Sequence, residues 1–296
     1  MSAAAEHRPL RAVLWMLVTG VCFVGVQATV KHLGPGIPPA ESAFLRYVLG
    51  LVLLLPVWPE LRRTRLSRRA WTLFTLRGAA QAMAVMAWFY AMTRISLAEV
   101  TAMNYMNPIY VTLGAVLFLG EPLAARRLAA IGFAFVGALI ILRPGLRPLE
   151  TGHVAMIFAA FGFSAAYLIA KRMTFEASPG VVVTMMSIMV TLFLSPFALA
   201  DWVPPAPVQL GWLFLVACFA TAGHFAMTLA FREAPMAVSQ PATFLQLVWA
   251  SLLGALAFGE PIDGWVVLGG AIVMAAVSFI AWREMRLKSH PPVVHT

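Results

Sequence analysis

Charge is scarce in this 296-residue chain, since only 11% of the residues are Asp, Glu, Lys or Arg and 61% are hydrophobic. A mean hydropathy of +0.85 excludes a protein whose whole surface faces water. Cysteine is scarce too: Cys22 and Cys218 both fall in apolar segments, which excludes a disulfide or zinc framework. The phosphate-binding pattern GxxxxGK[ST] is missing, which excludes a P-loop nucleotidase. These absences indicate a membrane protein, for which we predict neither a metal nor a cofactor.

Long apolar windows predict how the chain crosses the membrane. A helix of about 20 residues spans a hydrocarbon layer of roughly 30 Å. Ten windows of this kind follow one another with short connections, at residues 11–31, 40–58, 72–93, 98–119, 124–142, 152–171, 180–200, 210–231, 236–258 and 264–282. Because they leave no room for a soluble domain, the predicted class is an all-α membrane protein with ten transmembrane helices.

The distribution of the basic residues predicts the orientation. With the N-terminus inside, fifteen of them lie in cytoplasmic segments and only four, Lys31, Arg94, Arg143 and Arg147, lie in outer segments. Lys and Arg accumulate on the cytoplasmic side of membrane proteins, so we expect both termini in the cytoplasm. The net charge of +9 is then explained by topology and by contact with anionic lipid. We predict no nucleic-acid partner.

An internal repeat divides the chain into two halves. Gly-Glu-Pro closes the fourth span at Glu121 and the ninth at Glu260, 139 positions later. Further pairs recur at an offset of 139 or 140: Phe23 with Phe163, Lys31 with Lys171, Asn104 with Thr243, and Asn107 with Gln246. Such matches at a nearly constant offset indicate two copies of one five-helix unit. Because five is odd, the second copy enters the membrane from the opposite side, and the repeats are inverted around a central cavity.

With these features the chain resembles the drug/metabolite transporter superfamily, in particular its ten-helix EamA-type branch. The resemblance rests on the two repeats, on Phe-Leu-Arg-Tyr at residues 44–47, on Pro108 in the fourth span, and on Gly-Glu closing the fourth and ninth spans. It covers residues 10–282, with one departure, because Leu247 stands where the first repeat has Pro108. It implies a carrier in the bacterial inner membrane, not an enzyme and without an obligatory protein partner, similar to the bacterial aromatic amino acid exporters.

The predicted organisation follows from the repeat and the resemblance. Five segments make up the chain: a cytoplasmic tail at residues 1–10, a first five-helix repeat at 11–142, a periplasmic connection at 143–151, a second, inverted repeat at 152–282, and a cytoplasmic tail at 283–296. Inverted repeats place a solute site near the membrane midplane, at the interface between the halves.

Polar and aromatic residues that fall deep in the spans form the predicted substrate-binding set. Its members are Gln27, Gln81, Trp88, Asn104, Asn107, Phe163, Tyr167, His224, Thr243 and Gln246. Asn104 and Asn107 share one helical face, and Pro108 frees the Asn104 carbonyl from its usual amide donor. For each residue ordinary packing stays open as the alternative, including an interfacial aromatic belt for Trp88 and a hydrogen-bonded packing role for His224.

Four further residues are predicted to serve structure or gating. Arg46 is the most deeply placed positive charge, and it belongs to the Phe-Leu-Arg-Tyr segment. Pro108 bends the fourth span. Glu121 and Glu260 follow a glycine that ends a helix, so we predict that they cap helices or lie at an interface.

For the substrate and for the coupling of transport to an energy source, the sequence leaves more than one hypothesis open. Every Asp and Glu lies near a predicted helix end, so either His224 couples transport to protons or the solute diffuses down its gradient. Amide faces, a histidine and aromatic rings suit a zwitterion, and the predicted function is export of aromatic and other apolar amino acids by alternating access. The alternative within the family is export of cationic drugs or methylated metabolites such as S-adenosylmethionine. An intramembrane hydrolase using Ser164 and His224, and a membrane sensor or scaffold, stay open as other classes.

Overall fold

The computed structural model describes residues 9–107, 110, 125–143, 148–173, 177–233 and 244–289. Pro108, Glu121 and Thr243 lie outside these residues. Within them the chain forms eleven α-helices: α1 (Pro9–Leu33), α2 (Pro39–Leu53), α3 (Trp58–Arg63), α4 (Arg68–Met92), α5 (Leu97–Asn104), α6 (Ala125–Leu142), α7 (Thr151–Met173), α8 (Pro179–Ala200), α9 (Pro207–Glu233), α10 (Phe244–Phe258) and α11 (Gly264–Ser289). Each predicted span contains one of these helices, and α3 continues the second span.

Helix length and apolarity make the chain a multi-pass membrane protein. Four segments can each cross a membrane alone: Leu10–Gly36, Thr151–Ala170, Pro179–Ala200 and Pro207–Glu233. The α2 and α3 region adds a fifth if its two helices, bent by 54° around the turn that contains Pro56, form one broken span. The total of ten spans stays a prediction.

Local sequence signals set several helix ends. Ser67 and Ser178 cap α4 and α8, because their hydroxyl oxygens accept hydrogen bonds from backbone amides in the first turn. Ser96 and Glu99 form a reciprocal capping box at the start of α5. Gly259, with a φ of 64°, ends α10 in the left-handed region, where a residue without Cβ is favoured.

Helix pairs with extensive contacts join one half of the chain to the other, and five of them show how the halves are related. They are α1 with α9, α4 with α7, α2 with α8, α6 with α11, and α5 with α10. In the repeat, α7 is the counterpart of α1 and α9 is the counterpart of α4. Replacing each helix by its counterpart therefore converts the first pair into the second. Each of the other three pairs joins a helix to its own counterpart. This is the contact pattern of two units related by a twofold axis.

Helix α1 and its counterpart α7 run in opposite directions. Lys31, near the end of α1, donates a hydrogen bond to the Ile95 carbonyl oxygen at 2.9 Å. A side chain at Gly152, the second residue of α7, would also meet Ile95. The end of α1 and the start of α7 therefore lie at the same end of the bundle, which we call the Lys31 end. Inverted repeats require this relation.

Helices α6 and α11 approach most closely at two glycines. A Cβ atom added to Gly137 would lie 2.7 Å from the Gly269 carbonyl oxygen, and one added to Gly269 would lie 2.6 Å from the Gly137 carbonyl oxygen. Such contacts are too short for any residue with a side chain. Small residues at a membrane helix crossing allow the backbones to pack directly, and here they hold the two halves together.

We expect Gly269→Ala to destabilise the fold. The added methyl group overlaps backbone atoms of α6, and overpacking of this kind costs about 1–3 kcal/mol. Thermal unfolding of the purified protein in detergent measures the change. Gly132→Ala is the matched control on α6, because no atom outside its own stretch of helix lies within 4 Å of its added Cβ and alanine favours helix. Equal unfolding temperatures for the two variants would contradict the crossing.

Candidate functional site

Four helices bring a row of rings into the middle of the bundle. Phe23 on α1 contacts His224 on α9 edge to face, with ring centroids 5.2 Å apart, and contacts Trp88 on α4 at 6.1 Å. Trp88 contacts Phe163 on α7 at 5.7 Å, and Phe163 stacks on Tyr167 at 5.8 Å. Aromatic pairs attract one another in these arrangements. We call these five residues the aromatic row.

The row includes four residues of the predicted substrate-binding set and one that the prediction missed. Trp88 is 4% exposed and lies inside the bundle instead of in an interfacial belt. Its Nε1 is buried without an acceptor, and the Nδ1 of His224 is also buried without a partner. Phe23 was missed, although its pairing with Phe163 at a constant offset was a usable signal. Both repeats therefore contribute to the same row.

Side-chain amides from α1 and from the region of α5 add further polar groups to the interior of the bundle. Thr101 on α5 donates a hydrogen bond to Gln27 Oε1 at 3.0 Å, which leaves Gln27 Nε2 buried without a partner. Asn107 Nδ2 donates to Asn104 Oδ1 at 3.1 Å, so these two side chains do share a face. The Oδ1 of Asn107 has no partner. An unpaired buried amide atom costs free energy unless something else bonds to it.

Gln246 and its neighbour Leu247 tie α10 to the first half. Gln246 is 7% exposed, and its Cβ lies next to Gly20 of α1. The Leu247 amide donates to the Tyr105 hydroxyl oxygen at 3.0 Å. Because position 247 holds a leucine where the first repeat has Pro108, this amide is present to make the bond.

Ser164 and His224 do not form a catalytic dyad. The Ser164 hydroxyl lies within hydrogen-bonding distance of the Ala160 carbonyl oxygen, at 2.6 Å, and of the Asn107 carbonyl oxygen, at 2.8 Å. The nearest ring to His224 in the row belongs to Phe23. Nucleophilic catalysis needs the base within reach of the hydroxyl, so the geometry gives no support to the hydrolase hypothesis.

Two buried arginines complete the middle of the bundle. Arg46 on α2 and Arg77 on α4 are each 1% exposed. The guanidinium carbon of Arg46 lies 3.6 Å from the centroid of the Tyr47 ring. Nη2 of Arg77 contacts the Met186 sulfur on α8 at 3.2 Å. In the part of the chain that the structure describes, neither arginine forms an ion pair.

The remaining predicted residue in this region, Gln81, lies one turn along α4 from Arg77. It is 1% exposed, and its Nε2 donates a long hydrogen bond of 3.4 Å to the Tyr47 hydroxyl oxygen. Gln81 therefore links α4 to α2 on the side where the two arginines lie.

A separate polar network lies at the Lys31 end. Lys31 forms an ion pair with Glu260, and the other carboxylate oxygen of Glu260 accepts a hydrogen bond from the Leu97 amide at 3.0 Å. Glu260 thus caps the first turn of α5 while holding α1. The network joins three helices from both halves, and the gating role of Glu260 stays a prediction.

Two further contacts lie at the same end. His153 Nδ1 accepts a hydrogen bond from the Glu150 amide at 3.1 Å, so its Nε2 carries the hydrogen that points to Glu99 Oε1 at 3.3 Å. Arg143 forms an ion pair with Asp263. Among the described residues, no cluster of three or more His, Cys, Asp or Glu side chains could hold a metal.

Comparison with known proteins places the repeat in a family. Residues 10–143 and 150–282 match the model of the EamA-like transporter family. A riboflavin transporter of Vibrio cholerae is 28% identical over 95% of this chain and 96% of its own length. An S-adenosylmethionine uptake transporter of Rickettsia prowazekii is 23% identical, with 95% of each chain covered. One solved crystal structure shares the fold with a TM-score of 0.64 and 15% identity, over 94% of this chain and 98% of that chain.

We expect Lys31 and Glu260 to be energetically coupled. Their side chains are only 20% and 12% exposed, so removing one leaves a poorly hydrated charge. A double-mutant cycle of Lys31→Ala and Glu260→Ala, measured by unfolding in detergent, should give a coupling of about 0.5–3 kcal/mol. Arg94→Ala combined with Glu260→Ala is the control and should be additive, because Arg94 is exposed and bonds to Tyr90 instead. Additivity in both cycles would contradict the network.

Proposed function

Because the chain belongs to the EamA-like transporter family, we propose that it carries a planar aromatic solute across the membrane along the aromatic row, with riboflavin as the first candidate. The row supplies faces and edges of rings from both halves. A flavin ring is flat and largely apolar, so it stacks well on such surfaces. Its carbonyl and amide edge needs hydrogen-bond partners as well.

The observation that carries this proposal is the set of unpaired polar atoms around the row. Gln27 Nε2, Trp88 Nε1 and His224 Nδ1 are buried without a partner. Each unpaired group costs about 1–3 kcal/mol when it is removed from water. A solute with acceptors and donors on its rim would satisfy these atoms, while its faces contact the rings. The likeness of the whole chain to a riboflavin transporter supports the same choice.

Aromatic amino acids, whose export the sequence predicts, are the second candidate. The relatives named above carry riboflavin and S-adenosylmethionine, so the family comparison does not favour amino acids. The specific observation in their favour is the pair Arg46 and Arg77, which suits a carboxylate. The same two cations do not decide on S-adenosylmethionine, because they would repel its sulfonium but suit its carboxylate.

The proposed mechanism is alternating access between inverted repeats. The row crosses two helix pairs that exchange under the repeat: α1 with α9 carries Phe23 and His224, and α4 with α7 carries the other three rings. Phe23 and Trp88 make the ring contact between the pairs. Rocking one pair away from the other would part this contact and admit a flat solute, while the pair of Lys31 and Glu260 holds one end closed.

Flux measurements on purified protein in liposomes test the function. Labelled riboflavin should enter protein-containing liposomes saturably, and excess unlabelled riboflavin should compete with it. Empty liposomes give the background. Saturable flux of tryptophan without flux of riboflavin would replace the first candidate by the second. Absence of flux for both solutes, in protein shown to be folded, would overturn the proposal.

Removal of the central ring should impair riboflavin transport. We expect Trp88→Ala to lower riboflavin flux at subsaturating concentration roughly tenfold, because about 1–3 kcal/mol of stacking is lost. Trp88→Phe keeps a ring but lacks Nε1, so its riboflavin flux should lie between that of the unaltered protein and that of Trp88→Ala. Trp71→Ala is the matched control, since Trp71 lies on the same helix and is 48% exposed. If Trp71→Ala and Trp88→Ala behave alike, the row is not the solute path.

A further inference from the structure

Two guanidinium groups lie in the interior of the bundle, where a charge costs free energy because it is removed from water. Arg46 follows the start of α2 by seven residues and Arg77 follows the start of α4 by nine. At a rise of about 1.5 Å per residue, they lie roughly 10 Å and 14 Å inside their helices. Helix α2 starts at the Lys31 end and α4 starts at the opposite end. The two cations therefore enter the interior of the bundle from opposite ends.

Among the described residues, neither cation has a partner that balances its charge. Arg77 has only the Met186 sulfur, a weak acceptor, and its Nε and Nη1 are buried without partners. Arg46 rests on the face of Tyr47, and its Nε is likewise unpaired. A cation–π contact attracts a cation without neutralising it. Both side chains thus keep hydrogen-bond donors available.

The sequence predicts no carboxylate at this depth. All twelve Asp and Glu residues lie near the ends of predicted spans. The nearest along the chain, Glu41, accepts a hydrogen bond from the Val203 amide at 2.9 Å and forms no ion pair with Arg46. An uncompensated buried ion costs several kcal/mol, so charged residues inside a membrane bundle usually mark a functional site.

Both arginines contact the packed core that contains the aromatic row. Arg46 lies on the ring of Tyr47 and Arg77 contacts Met186. Tyr47 and Met186 belong to the same buried cluster as Trp88 and Phe163. Guanidinium groups bind carboxylate and phosphate through paired N–H donors. The donors that Arg46 and Arg77 leave unused therefore suit an oxyanion held beside a planar ring.

We propose that Arg46 and Arg77 bind an oxyanion of the solute, a carboxylate or a phosphate, while the aromatic row holds its ring. This inference rests on the proposed function, since it adds a second recognition element to the same site. It assigns to Arg46 a binding role in place of the structural or gating role that its sequence predicts. A flavin phosphate and an aromatic amino acid both carry such a group, whereas riboflavin itself lacks it.

Binding to the purified protein in detergent tests the proposal with two matched solute pairs. Riboflavin 5′-phosphate is compared with riboflavin by flavin fluorescence, and tryptophan is compared with its carboxamide by calorimetry. We expect the oxyanion form of at least one pair to bind about tenfold more tightly, the effect of one charge-assisted hydrogen bond. The pair that shows the preference identifies phosphate or carboxylate as the preferred group.

Variants assign the preference to the arginines. Arg46→Gln and Arg77→Gln should each reduce the oxyanion preference about tenfold while changing the affinity for the uncharged partner less than about twofold. Arg77→Lys keeps the charge and should retain part of the preference. Arg69→Gln, at the exposed start of α4, should leave the preference unchanged.

The outcomes separate the two proposals. If riboflavin and its phosphate bind equally, and tryptophan and its carboxamide bind equally, the oxyanion site is overturned while binding of the rings still supports the proposed function. This comparison uses the unaltered protein, so it holds even where a variant fails to fold. If no flavin and no indole binds, the proposed function fails and the oxyanion site fails with it.

Discussion

The whole architecture depends on packing between the two halves of the chain. Water drives apolar surfaces together in soluble proteins, but lipid is as apolar as leucine and provides no such force between helices. Close backbone contact, ring packing and polar bonds must hold the bundle instead. Each of these is found across the interface of the halves, as in the crossing of Gly137 with Gly269, the contact of Trp88 with Phe163, and the pair of Lys31 with Glu260.

The different kinds of contact explain how the helices of a stable bundle could still move relative to one another. Ring contacts in the middle are apolar and non-directional, so they separate and reform with little penalty in hydrogen bonds. The bonds around Glu260 are directional and charge-assisted, and they hold the start of α5 to α1. A motion that opens the middle towards the other end therefore preserves the strongest contacts of the Lys31 end, as alternating access requires.

The parts of this arrangement that depend only on position along the chain could be predicted from the sequence. Hydropathy located the helices, and a constant offset revealed the repeat that both matched segments of the family model bear out. Depth along a span placed Gln27, Gln81 and His224 in the interior, where the structure finds them. Motifs such as Gly-Glu-Pro mark the superfamily and carry no information on the solute, which is why the expected likeness to amino acid exporters was too narrow.

The contacts that give the site its chemistry could not be predicted in this way. An offset identifies counterparts such as Phe23 and Phe163, but counterparts need not touch, and here Trp88 lies between them. Lys31 and Glu260 are in different repeats and their pairing follows only from the three-dimensional direction of α1 and α10. Arg77 belongs to a polar stripe on α4, and nothing in the linear sequence shows that its neighbour on α8 is a thioether instead of a carboxylate.

The thioether beside Arg77, in place of a carboxylate, determines what the two arginines can do. Had Met186 been an acid, Arg77 would be a structural ion pair and the middle of the bundle would be neutral. With a thioether there, two like charges lie in the interior of the bundle, and their repulsion costs free energy in the protein without solute. An entering oxyanion removes this cost. Because Arg46 lies on α2 and Arg77 lies on α4, an ion bound to both draws these two helices of the first half together. At the proposed oxyanion site, solute binding and the packing of α2 against α4 are thus one electrostatic event.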